Sequence, residues 1–140
     1  MRFWDASAIV PLLVHERLSA RADALLAEDR AIVTWWGSLV ECSSALARLH
    51  REGELSSADL RAAGARLQRA ATAWIEVPAV APVREQALRL LRIHALRAAD
   101  ALQLAAALVT AEFRPESFEI VTFDARQALA AEREGFRVLA

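Results

Sequence analysis

The chain has 140 residues, 56% of them hydrophobic and 25% charged, with a formal net charge of −1. That length predicts one domain, residues 1–140, and only 4 Gly and 4 Pro exclude a disordered, collagen-like or linker-rich chain. All 17 basic residues are Arg, which excludes a P-loop phosphate clamp, a lysine Schiff base and a lysine general base, and leaves any nucleic-acid partner to a local arginine patch.

Arg2–Asp5 begins with apolar bulk and reads as a first strand. Ser7 is expected to cap the next helix, and Pro11 is tolerated only near that helix's start. Arg17–Glu28 has helical apolar spacing through Leu18, Ala22, Leu25 and Leu26. Ala31–Thr34 reads as a second strand. From Gly37 to Arg51, Leu39, Cys42, Leu46 and Leu49 form one helical stripe that Gly53 ends. Ser56-Ser57 opens a helix reaching Ala73, and Trp74–Val77 reads as a strand stopped by Pro78. Two helices follow, Pro82–His94 and Arg97–Ala111. Phe118–Phe123 is the clearest strand, being β-branched and aromatic. A helix over Ala125–Glu134, ended by Gly135, and a last strand at Phe136–Leu139 close the chain.

Strands alternating with helices imply parallel pairing with right-handed crossovers, so the class is α/β. In such sheets ligands bind outside the carboxyl ends of the strands. No stretch approaches the roughly 18 apolar residues of a membrane span, and Asp5 interrupts what would otherwise open a signal peptide. The lone Cys42 can neither close an internal disulfide nor anchor a Cys-rich zinc site. A soluble, cytoplasmic protein is the expectation.

Four acids stand among apolar neighbours. Asp5 ends the first strand and Asp124 ends the strong one, so in a parallel sheet both emerge at the same edge. Asp100 lies one turn into an otherwise apolar helix, Ala-Ala-Asp-Ala-Leu-Gln-Leu-Ala. Glu41 lies one turn into another. At 100° per residue each falls about 40° from the buried face, Asp100 from Leu104 and Glu41 from Ala45. Gathered carboxylates repel, and burial adds a desolvation cost. A hard divalent ion relieves both, activates water and stabilises charge on phosphate. Each acid also has a structural reading. Asp100 suits a helix dipole, Glu41 could pair with Arg48 two turns on, and Asp124 could cap the last helix. Asp5 has few structural uses, and the four together at one edge favour function.

The segments Phe3-Trp4-Asp5-Ala6-Ser7-Ala8-Ile9-Val10, Glu41 ahead of Ser44-Ala45-Leu46, Leu96-Arg97-Ala98-Ala99-Asp100-Ala101-Leu102-Gln103-Leu104-Ala105 and Val121-Thr122-Phe123-Asp124 carry a resemblance. Over essentially the whole chain, the sequence resembles PIN-domain ribonucleases, most of all the VapC toxins of toxin–antitoxin pairs. The resemblance implies one PIN-like domain, a central parallel sheet of about five short strands with helices on both sides. It implies that Asp5, Glu41, Asp100 and Asp124 bind Mg²⁺ or Mn²⁺ and position a water for in-line attack on an RNA phosphodiester. Asp5 and Asp100 would touch the ion; Glu41 and Asp124 would reach it directly or through water. Ser7 and Thr122 match supporting positions. Arg97 is placed to meet RNA phosphate or a neighbouring carboxylate, or stands as an exposed helix-start arginine. Glu16 matches a commonly acidic position and is read as structural. The implied partners are RNA, a VapB-type antitoxin whose tail lies near the acids, and a second copy in a homodimer.

His15, His50 and His94 lack metal-ligand spacing and are expected at surface or satisfied positions. Trp35-Trp36 and Trp74 read as core or dimer anchors rather than base-stacking platforms. A mean hydropathy of +0.23 hints at an apolar surface covered by a partner. Other enzymes fit less well. Ser7 stands where a haloacid-type phosphatase needs a second Asp, a receiver domain needs a lysine, and no Gly-x-Ser-x-Gly elbow exists. The alternative is a catalytically silent PIN-like binding or scaffold module, and the intact acidic quartet argues against it.

Overall fold

Short runs of β-branched and aromatic residues pair into one sheet in the computed structural model, which describes residues 1–140. The strands are β1 (Arg2–Trp4), β2 (Ile32–Trp35), β3 (Ile75–Val77), β4 (Glu119–Val121) and β5 (Arg137–Leu139). Their order is β3-β2-β1-β4-β5 and every pair is parallel. The connecting helices are α1 (Ala6–Leu13), α2 (Ser19–Glu28), α3 (Ser38–Arg51), α4 (Ser57–Ala71), α5 (Ala81–Ile93), α6 (Ala98–Thr110) and α7 (Ala125–Glu134). This is the expected α/β class and single PIN-like architecture. No helix is long and apolar enough to cross a membrane.

Parallel strands need crossovers, and the crossovers cover both faces of the sheet. Alternation along each strand divides the core. Phe3, Val33 and Ile120 pack with α5, α6 and α7, whereas Trp4, Ile32 and Val121 pack with α1 to α4. Helix α6 runs deep in the core, with Ala105, Ala106 and Ala107 all fully buried. Its small side chains let the backbone lie close to the sheet and to α5.

The chain builds outward from β1 to β2 and β3, then returns to the other side of β1 to lay down β4 and β5. The order therefore reverses between β1 and β4. At such a switch point the two flanking connections leave in opposite directions and open a crevice beyond the strand ends. Asp5 follows β1, and Thr122 to Asp124 follow β4.

Several local expectations need correction. The cap of α1 is Asp5, not Ser7, because the Asp5 carboxylate already accepts from the Ser7 backbone N–H. Pro11 is the sixth residue of α1 rather than near its start. It withholds an N–H from the Ser7 carbonyl, and the helix ends two residues later at Leu13. The strand predicted over Phe118–Phe123 pairs only at Glu119–Val121, since a 3₁₀ turn at Pro115–Ser117 precedes it and Thr122 and Phe123 turn toward Asp5 and Ser7. Other expectations hold: Trp35 and Trp74 are buried in the core, while Trp36 is 56% exposed, open to the anchor reading rather than the core one. The histidines are satisfied or exposed, as expected: His15 faces solvent, His50 Nδ1 lies 2.8 Å from the Leu55 carbonyl, and His94 Nε2 donates to Glu134 at 2.6 Å. Burial pushes the Glu134 carboxyl up, but hydrogen bonds from Arg89 and His94 outweigh it and the net shift is downward. That cluster ties the end of α5 to the end of α7.

Candidate active site

The crevice beyond β1 and β4 is organised around Asp5, which is 6% exposed. Its Oδ2 accepts from the Ser7 backbone N–H at 3.1 Å, from the Thr122 hydroxyl at 3.1 Å and from the Ser7 hydroxyl. Each hydroxyl spends its one proton on Asp5 and accepts a backbone N–H in turn. Ser7 Oγ accepts from Phe123 at 3.0 Å, and Thr122 Oγ1 accepts from Asp124 at 3.2 Å. The start of α1 and the end of β4 are thereby stitched together through one carboxylate. All these bonds fall on Oδ2 and none on Oδ1. Burial pushes the Asp5 carboxyl up, the Ser7 and Thr122 hydrogen bonds oppose it, and the charge of Asp100 adds to the rise.

Glu41 enters from α3. Its Oε1 accepts a 3.0 Å hydrogen bond from Gln103 Nε2 on α6. Burial first, then the charge of Asp5, pushes its carboxyl up to about 7; the Gln103 bond opposes the rise and Asp100 adds a little. The pairing with Arg48 considered from sequence does not form, since Gln103 is the partner. Cys42, beside Glu41 in sequence, is buried with its thiol pushed up to about 12 by desolvation and by Glu41 and Asp5. A thiolate is thus excluded as a nucleophile here.

A stability effect follows from Glu41. Its folded value of about 7 lies above the ordinary 4.5, so the folded state keeps a proton that the unfolded chain releases. The benefit is complete below the unfolded value and is lost as pH rises from there through the folded value. With no divalent ion added, Glu41→Gln is expected to match wild type near pH 4. Near pH 8 it should exceed wild type by about 1–2 kcal/mol, allowing for solvent screening at a half-buried carboxylate. Urea unfolding at both pH values measures this.

Asp100 stands in the first turn of α6, where its Oδ2 accepts from the Arg97 backbone N–H at 3.1 Å. Its charge reaches both Asp5 and Glu41. Arg97 is the N-cap residue; its exposed side chain is bonded to no carboxylate. Asp124 caps α7, with Oδ1 accepting from Arg126 at 2.8 Å and Gln127 at 3.0 Å. The structure therefore joins Asp5, Glu41 and Asp100 in one electrostatic group, while Asp124 sits at the same sheet edge in a capping role. Glu16 is exposed and lines a groove of about 310 Å³ with Ser7, Val10, Glu41, Arg48 and Leu49.

Sequence reasoning missed three polar residues behind the acids. Thr34, Ser38 and Gln103 are each fully buried. An amide inside the apolar run Ala-Leu-Gln-Leu-Ala was the available signal, because a buried amide must find partners.

No family model matches the chain. Over 136 residues it is 33% identical to Ribonuclease VapC45 of Mycobacterium tuberculosis strain CDC 1551 / Oshkosh, covering 97% of this chain and 92% of the relative. Ribonuclease VapC49 of M. tuberculosis strain ATCC 25618 / H37Rv matches to the same extent. Among solved structures, PAE2754 from Pyrobaculum aerophilum superposes with a TM-score of 0.67 at 20% identity, covering 98% of this chain and 87% of that one. FitAcB from Neisseria gonorrhoeae superposes with a TM-score of 0.63 at 20% identity, covering 100% of this chain and 97% of the other. At that identity the structural likeness establishes the fold.

Proposed function

The chain belongs to the VapC family of PIN-domain ribonucleases, and we propose that it is a Mg²⁺- or Mn²⁺-dependent endoribonuclease, the toxin of a toxin–antitoxin pair. The observation that carries this reading is the Asp5 carboxylate, buried at the end of the central strand, fully bonded on Oδ2 and unbonded on Oδ1, within the field of Glu41 and Asp100.

The donor set suits a hydrated ion rather than a cage. No three His, Cys, Asp or Glu side chains in the molecule are gathered as a ready-made metal site. Mg²⁺ typically binds through one or two carboxylates and keeps several waters. Asp5 through Oδ1 and Asp100 would hold it, Glu41 would approach through the oxygen that Gln103 leaves free, and Asp124 would contribute through Oδ2, directly or through water. When bound, the ion supplies a Lewis acid toward phosphate oxygens and lowers the pKa of water. The protein's own residues set the geometry. Ser7 and Thr122 fix the rotamer of Asp5, the α6 start fixes Asp100, and the capped α7 start fixes Asp124. Arg97, the N-cap residue of α6 ahead of Asp100, would meet an RNA phosphate.

The groove between α1 and α3 opens beside Glu41 and Ser7, with Val10, Ala45 and Leu49 as apolar walls. An antitoxin tail seated there would occlude the acids. A homodimer is proposed through exposed apolar residues such as Leu88, Leu91 and Ile93 on α5.

The direct test uses chain freed of co-purifying protein and incubated with total and defined RNAs in Mn²⁺ or Mg²⁺. Discrete cleavage that EDTA and Asp100→Asn both abolish is the expected result. Cleavage by Asp100→Asn at the wild-type rate would overturn the site assignment. A folded chain that binds Mn²⁺ and cuts nothing across the panel would favour a binding module.

A further inference from the structure

Gln103 lies on α6 one turn after Asp100, so the two residues are neighbours on one side of the helix. It is fully buried, and both protons of its amide are committed. Nε2 stands 3.0 Å from Glu41 Oε1 and 3.0 Å from Ser38 Oγ. Ser38 Oγ is in turn 2.7 Å from Thr34 Oγ1, and the Thr34 hydroxyl donates to the Trp4 carbonyl at 2.7 Å. Trp4 is the residue immediately before Asp5.

A continuous buried chain of polar atoms therefore runs from the backbone that carries Asp5, through β2 and α3, to α6 and back to the carboxylate of Glu41. A carboxylate left to itself beside Asp5 and Asp100 would swing toward solvent to escape their charges. A donor fixed from behind prevents this and leaves only Oε2 of Glu41 to face the centre.

Resting on the metal-site reading above, we infer that Gln103 is a positioning residue, which clamps Glu41 Oε1 so that Glu41 stays at the cation site formed with Asp5 and Asp100. Ser38 and Thr34 hold the clamp. They fix the orientation of the Gln103 amide and refer it to the strand that carries Asp5. The whole relay is tertiary: its members come from four separate elements, with Gln103 and Ser38 65 residues apart.

The test is direct Mn²⁺ binding, read by loss of the free-ion electron paramagnetic resonance signal, alongside RNA cleavage. Gln103→Met keeps side-chain volume and removes both donors. Gln103→Asn keeps an amide but is one methylene too short to span both partners. Each is expected to weaken Mn²⁺ binding about tenfold, as removal of a partner behind a metal ligand does. The kcat for RNA should fall with KM little changed. Ser38→Ala, which spares the bond to Glu41, should lose less than either.

Unchanged Mn²⁺ affinity in both Gln103 variants, with only a lower melting temperature, would reduce Gln103 to a structural role and overturn the clamp. Glu41→Gln and Asp5→Asn, measured in parallel, separate the two levels. If they too bind Mn²⁺ like wild type, the metal-site reading itself fails. If they lose binding while the Gln103 variants keep it, only the clamp fails.

Discussion

Asp5→Asn is expected to lower RNA cleavage at least about 100-fold, judged against the effects of removing even indirect metal partners, while the chain without added metal becomes more stable. Both signs follow from the same carboxylate. The oxygen of Asn can take the place of Oδ2, where it accepts from the Ser7 N–H and from the Ser7 and Thr122 hydroxyls. The cap of α1 and the stitch to β4 then persist, since Asn caps helices about as well as Asp. What is lost is a buried negative charge facing Asp100 and Glu41. Removing it ends a repulsion that pushes the carboxyls of Asp5 and Glu41 upward. Cleavage assays and urea midpoints measure the two effects. Full activity would remove Asp5 from the chemistry, and a lower urea midpoint would show that its charge is needed to hold the cap.

The largest stability effect is expected at Trp4. The side chain is fully buried and fills the layer between the sheet and α1, α3 and α4, among Ile9, Cys42, Leu46 and Leu67. Trp4→Ala should cost about 3–5 kcal/mol, because a rigid parallel sheet collapses only partly around the cavity. Trp4→Phe should cost less, about 1–3 kcal/mol, because the smaller ring leaves a smaller cavity. No protein group accepts from the indole Nε1, so Phe forfeits no hydrogen bond within the protein. Urea unfolding of the two variants distinguishes volume from polarity. Similar losses in both would mean that the ring volume Phe retains contributes little and that the fit of the indole itself carries the stability. The same substitution bears on the site, since the carbonyl of Trp4 anchors Thr34 and residue 5 follows directly.

Local patterns carried much of this. The helix predicted over Ala125–Glu134 forms with those bounds and with Gly135 in the left-handed conformation at its end. Ser56 caps α4, the helix that Ser56-Ser57 was expected to open. These features depend on a few adjacent residues, so a window of sequence contains their causes. Strand ends were less legible. Phe118–Phe123 has strand composition throughout, but pairing needs a neighbour at the same height, and β5 offers three residues. Beyond Val121 the chain serves the site instead: the Thr122 hydroxyl donates to Asp5, and the Phe123 backbone N–H donates to Ser7 Oγ.

The acids divide in the same way. Residue type and placement singled out Asp5, Glu41, Asp100 and Asp124, because acids among apolar neighbours are visible in a one-dimensional pattern. Their separate duties were not visible. Capping of α7 by Asp124 was one of two open readings, and hydrogen-bond geometry decided that it forms. Ser7 was expected to cap α1, yet Asp5 two residues earlier does so, because the chain leaves β1 directly into the helix. The sequence by itself therefore determined the class of fold and the family, and it marked the four carboxylates as candidates. Only the tertiary structure decided which of those carboxylates share a field, and that Gln103, Ser38 and Thr34 stand behind them. The reason is physical: a residue's charge and periodicity belong to the chain, whereas desolvation, Coulombic coupling and a buried amide's partners exist only once distant elements meet.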